Sequence, residues 1–116
     1  MPPQSTKFYI SLRMLDIFLV QMEIAPNDKA RNFEKVETLT REIRKAPDDS
    51  VPGLIVLSEM FATGYLPLHP ERAAEDFSTE SSGETALFLN KLASQTGCTV
   101  MGAGISRKGP SLTNHA

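Results

Sequence analysis

Gly53-Leu54-Ile55-Val56-Leu57-Ser58-Glu59 decides how this chain is read: five uncharged residues run straight into a hydroxyl and a carboxylate. A short apolar run of this kind fits a strand buried on both faces, the type that fills parallel sheets. The aromatic, glycine-containing stretch 60–65 that follows reads as a loop, so Glu59 falls where the strand ends. Upstream, residues 14–22 (MLDIFLVQM) form a similar run, stopped by Ala25-Pro26-Asn27-Asp28. Downstream, 99–106 reads as a third strand, and Arg107-Lys108-Gly109-Pro110 turns the chain.

Helical patterns lie between these runs. Phe33, Val36, Leu39, Ile43 and Ala46 step by three or four residues and share one face. Asn27 or Asp28 can cap that helix, Glu37 and Arg41 sit one turn apart in the favourable order, and Pro47 is expected to end it. A second helix is expected from Ser81 or Ser82, where Ser81 and Glu84 have capping-box spacing. Its apolar stripe is Ala86, Leu89, Leu92 and Ala93, and Gly97 suits a left-handed C-terminal cap. Between the second strand and this helix, 66–79 is expected to hold only a short helical turn near 71–75. The order strand-helix-strand-helix-strand implies an α/β fold with a mainly parallel sheet and right-handed crossovers. Residues 1–13 show no sustained period and read as an N-terminal extension.

Composition narrows the function. At 116 residues with a net charge of −2 and mixed signs throughout, the chain offers no basic patch for nucleic acid and no polybasic stretch for a membrane surface. The apolar stretch 17–20 is flanked by Arg13 and Asp16 and is too short for a signal peptide or a spanning helix. One cysteine, Cys98, allows no internal disulfide, so a cytoplasmic protein is the default. His69 and His115 are far apart in polar loops, which argues against a metal site. Gly102-Ala103-Gly104 invites a dinucleotide reading, but Arg107 stands at the third glycine position and no helix opens there. No cofactor is expected.

In parallel sheets, ligands gather beyond the carboxyl ends of the strands, and Glu59 sits at such an end. With Phe61 and Tyr65 beside it, partial desolvation would make its carboxylate a general base. A helix cap or a surface ion pair would place a glutamate there equally well, and the residues alone leave these alternatives open.

Three blocks taken together carry a resemblance. LIVLSEMFATGY (54–65), IFLVQMEIAPNDKARNFEKV (17–36, with Asn32 near the helix start) and GCTVMGAGISRKGPSLTN (97–114, with Asn114 in the hairpin) occur in order at sensible spacing. Together they resemble the opening portion of the nitrilase, or carbon–nitrogen hydrolase, family. The resemblance implies that 14–116 is the N-terminal part of a hydrolase domain, contributing part of an α-β-β-α sandwich. It also implies a Glu-Lys-Cys triad in which Glu59 takes the thiol proton, a lysine steadies the oxyanion and a cysteine attacks. The implied lysine and cysteine positions lie beyond Ala116, so the chain is expected to be a fragment or a truncated product, inactive alone. The full form would act on a small amide, carbamoyl compound or nitrile as a homo-oligomer. Cys98 stands at the amino end of its strand and Lys108 in a turn, and neither is taken as the missing partner. Ser58 replaces the family's usual proline. The competing expectation is a non-catalytic α/β module that pairs with a partner chain.

Overall fold

The computed structural model describes residues 14–46, 51–65, 67–77 and 83–116. The expected extension over 1–13, the Pro47 stop and the Ser81 cap lie outside them. Four strands, β1 (Asp16–Val20), β2 (Gly53–Glu59), β3 (Thr99–Lys108) and β4 (Ser111–His115), form one sheet in the order β1-β2-β3-β4. The first three are parallel, as the alternating pattern led us to expect, and a fourth strand, β4, returns antiparallel as a hairpin.

Helix α1 (Lys29–Thr40) connects β1 to β2, a single turn α2 (Pro70–Ala73) follows β2, and α3 (Glu84–Thr96) connects to β3. The strands add in sequence order, so two crossovers of one hand lay both long helices on the same sheet face. That face holds the core. Ile55 and Leu57 are buried beneath Val36, Phe88 and Leu92, with Phe18, Val20 and Val100 packed against them. Phe33 of α1 stacks on Phe88 of α3 at 4.4 Å between ring centroids, and Phe61, fully buried, tilts against both. Phe88 thus joins Leu92 as a buried core residue of α3, in addition to the expected Ala86, Leu89, Leu92 and Ala93 stripe.

The opposite face is open. Ile17 and Leu19 are 55% and 76% exposed, and Met101 on β3 is 48% exposed. This corrects the expectation of strands buried on both sides. Among the described residues no helix lies on that face, so the outer rows of an all-apolar pattern meet solvent.

One helix boundary also differs. Asp28 caps α1 by accepting from the Arg31 N–H at 3.1 Å, as expected. The helix, however, stops at Thr40 instead of running to Ala46. Thr38 and Thr40 donate back to the carbonyls of Glu34 and Val36, a pattern that bends and weakens helices. The chain then tightens into Thr40–Ile43 and crosses to α3, where the Lys45 N–H donates to Thr96 O at 2.7 Å. Leu39 ends up 55% exposed while Thr40 is buried. At the far end of α3, Gly97 adopts the expected left-handed cap with φ 70°.

The start of α3 uses a distant carboxylate. Gly83 is the N-cap and supplies no side chain, so Glu75 accepts from the Thr85 N–H at 2.8 Å and from the Thr85 hydroxyl. Lys29 Nζ pairs with the same carboxylate at 2.7 Å, both side chains being nearly buried. Glu75 also bridges to β3, its N–H donating to Ile105 O and its carbonyl accepting from Arg107 N–H. One residue therefore fastens the long loop to the sheet, to α1 and to α3.

Candidate active site

Glu59 is the last residue of β2, at the carboxyl end of a central parallel strand. Its direction is set by an irregularity. Val56 pairs with Met101, yet Glu59 pairs with Ala103, so β2 advances three residues where β3 advances two. A bulge of this kind re-aims the side chains that follow it. Simple alternation from Ile55 and Leu57 would send Glu59 toward the helices. The extra residue instead sets it level with Ala103, on the open face that also carries Met101.

The backbone turns sharply just beyond. Met60 has φ 55°, a left-handed conformation uncommon for a residue with a side chain, and its N–H donates to Ala103 O at 3.1 Å. Its carbonyl then accepts from the N–H groups of Thr63 and Gly64. Phe61 leaves the turn in the other direction and anchors it in the aromatic core. Gly102 makes that anchor possible, since a Cβ there would come within 2.9 Å of the Phe61 ring. Ser58 donates its hydroxyl to Val20 O at 3.3 Å, tying the bulged end of β2 to the end of β1.

Asn32 secures the loops that frame this end of the sheet. Fully buried, it accepts from the Ala25 N–H at 2.7 Å and donates to the carbonyls of Ala25 and Ala62 at 2.8 Å each. The loop after β1 and the loop after β2 are thereby held by one side chain.

Around Glu59 the expectation needs correcting. Phe61 is in the core and Tyr65 is 67% exposed, so neither shields the carboxylate, which is itself exposed. Among the described residues its side-chain partner is Asn114, whose Nδ2 donates to Oε1. Asn114 lies on β4 opposite Ile105, two residues on from Ala103 and so on the same face. A shallow cavity of about 330 Å³ opens at Asn114 and Met60, the hydrogen-bond partner and chain neighbour of Glu59, and is lined also by Tyr65, Pro67, Ile105 and Leu112. A second cavity, of about 440 Å³, is lined by Thr63, Leu68, His69 and Ala73 and holds Lys29 and Arg72. Lys29 there is already bound to Glu75 and lies 3.3 Å from Glu84.

The remaining sequence candidates are elsewhere. Cys98 is buried at the start of β3 with its sulfur against Gly53, the first residue of β2. Six residue steps of strand separate Gly53 from Glu59, about 20 Å at 3.3 Å per residue. Cys98 therefore cannot exchange a proton with Glu59. Lys108 ends β3 in the exposed hairpin. His69 is exposed and 3.6 Å from Glu71, and His115 stacks on Phe77. Among the described residues no three His, Cys, Asp or Glu side chains gather into a possible metal site, and no helix is long and apolar enough to cross a membrane.

A carboxylate beyond the carboxyl end of a central parallel strand, beside a cavity, is the arrangement of an α/β enzyme site. The comparisons narrow the class. The carbon–nitrogen hydrolase family model matches residues 17–116, and the chain belongs to that family. A nitrilase from Pyrococcus abyssi is 31% identical over 103 residues, which make up 89% of this chain and 38% of that protein. The chain thus spans 38% of the length of this relative. A CN-hydrolase superfamily protein from Xanthomonas campestris, whose crystal structure has an arsenic adduct in the active site, matches with a TM-score of 0.66 at 24% identity. That match covers 83% of this chain and 32% of the other, and it shows a shared fold. The four-stranded sheet with its one-sided helices is a portion of the carbon–nitrogen hydrolase fold.

Proposed function

We propose that this chain supplies the general base, Glu59, of an enzyme that hydrolyses a small amide, carbamoyl compound or nitrile. The observation that carries the reading is the bulge at the end of β2, which presents the Glu59 carboxylate on the open sheet face, beside a cavity, in a chain of this family. In this reading, for an amide or carbamoyl substrate, Glu59 accepts the proton of a cysteine thiol, and the thiolate attacks the substrate carbon to form a tetrahedral adduct. A lysine stabilises the oxyanion, the protonated base returns its proton to the departing nitrogen, and water then cleaves the thioester. Cys98 is too far away, and among the described residues Glu59 has no lysine partner. The nucleophile in this reading is a cysteine other than Cys98, and the cation is a lysine that the described residues do not place beside Glu59.

In this reading the protein works in the cytoplasm as a homo-oligomer, and the isolated 116-residue chain has no turnover. The test is ammonia release from a panel of small amides and nitriles by the active enzyme that contains this chain. Glu59→Gln is expected to lower kcat by about 10²- to 10⁴-fold with unchanged circular dichroism. Wild-type turnover by that variant would overturn the reading. The exposed Ile17, Leu19 and Met101 also suit a non-catalytic module that pairs with another chain. A stable complex without hydrolysis of any panel member would favour that second reading.

A further inference from the structure

We infer that Asn114 is a positioning residue for Glu59; the inference rests on the general-base reading above. An exposed glutamate at a strand end samples many rotamers, and a base works only when one oxygen is aimed at the proton it removes. Here the aim is set from the neighbouring hairpin. Five consecutive pairs, from Gly104–His115 to Lys108–Ser111, fix the register of β4 on β3 and put Asn114 opposite Ile105. The bulge fixes Glu59 opposite Ala103. Both side chains are then on one face of the sheet, on strands that flank β3, where they meet. Asn114 Nδ2 donates to Glu59 Oε1, leaving Oε2 as the oxygen free to accept a proton.

A carboxamide suits the task. It donates to a carboxylate without carrying charge, and it has no proton of its own to exchange at neutral pH. Aspartate has the same size and shape but presents only acceptors, so at this place it would repel Glu59 where asparagine holds it. Two substitutions therefore separate positioning from simple packing. Filling space predicts that Asn114→Asp is milder than Asn114→Ala, whereas orienting the carboxylate predicts the reverse.

The experiment measures kcat per active site and KM for the active enzyme containing this chain, as wild type, Asn114→Ala, Asn114→Asp, Glu59→Gln and Glu59→Gln/Asn114→Ala. Expected results are a kcat about tenfold lower for Asn114→Ala and about a hundredfold lower for Asn114→Asp, with KM within twofold of wild type. The double variant should be no slower than Glu59→Gln alone, because a residue acting through Glu59 has nothing left to position. Asn114→Ala slower than Asn114→Asp, unchanged kcat in both, or a raised KM at constant kcat would overturn the positioning role while leaving Glu59 as the base. Wild-type turnover in Glu59→Gln would instead remove the reading on which the inference rests.

Discussion

Replacing Leu19 by lysine is expected to disperse assemblies formed by the isolated 116-residue chain. Leu19 is 76% exposed on the sheet face opposite α1 and α3, with Ile17 at 55% on the same strand and Met101 at 48% on β3. Complete burial of a leucine from water is worth about 1.5–3 kcal/mol, so covering Leu19 from its present exposure contributes about 1–2 kcal/mol. A symmetric face-to-face contact uses the residue twice, for about 2–4 kcal/mol, and lysine also adds a charge to be desolvated. The dissociation constant should therefore rise by about 30- to 1,000-fold. Sedimentation velocity over a concentration series would read this directly. Leu68→Lys and Leu87→Lys serve as controls, since Leu68 is 79% and Leu87 53% exposed on a loop and on α3. A wild-type chain that is monomeric at every concentration, or controls that disperse it as well as Leu19→Lys does, would refute the reasoning.

Three further outcomes follow from named contacts. Asn32→Ala should lower stability by about 3–5 kcal/mol in urea unfolding, because it strips partners from the Ala25 N–H and from two carbonyls; a loss under about 1 kcal/mol would show that water replaces them. Glu75→Gln should destabilise by about 3 kcal/mol by leaving Lys29 nearly buried with its main counter-charge gone. Glu75→Leu combined with Lys29→Met should recover much of that loss, and a double variant as poor as the sum of its parts would refute the pairing. Cys98, buried against Gly53, should resist a thiol reagent in the folded chain and react fully in denaturant; rapid labelling of the native chain would contradict the packing.

Much of the fold was legible because local signals agreed. The apolar runs, Asp28 as cap, Gly97 as terminator and the Gly109-Pro110 turn each have a physical mechanism confined to a few neighbouring residues. What the sequence did not show comes from partners remote in sequence. The end of α1 at Thr40 depends on where Lys45 meets Thr96, and the start of α3 is satisfied by Glu75, ten residues before Thr85. Glu59 could be singled out from its place after an apolar strand, but not its direction. The bulge exists only in the pairing of β2 with β3, and the contact with Asn114 spans 55 positions. Phe61 was read as a neighbour of Glu59 because it is two residues away. Its place in the core is decided by Phe33, Phe88 and the space at Gly102.

By itself, then, the sequence determined an α/β chain with parallel strands, a carboxylate at a strand end, and three ordered blocks resembling one hydrolase family. The period and composition of short segments are enough for that. Tertiary structure alone decided that both helices cover one face, leaving Ile17, Leu19 and Met101 in water, and that Glu59 turns toward this uncovered side. Which face a strand buries, and which way a residue points after a bulge, depend on what packs and pairs across the sheet, and those neighbours are far away along the chain.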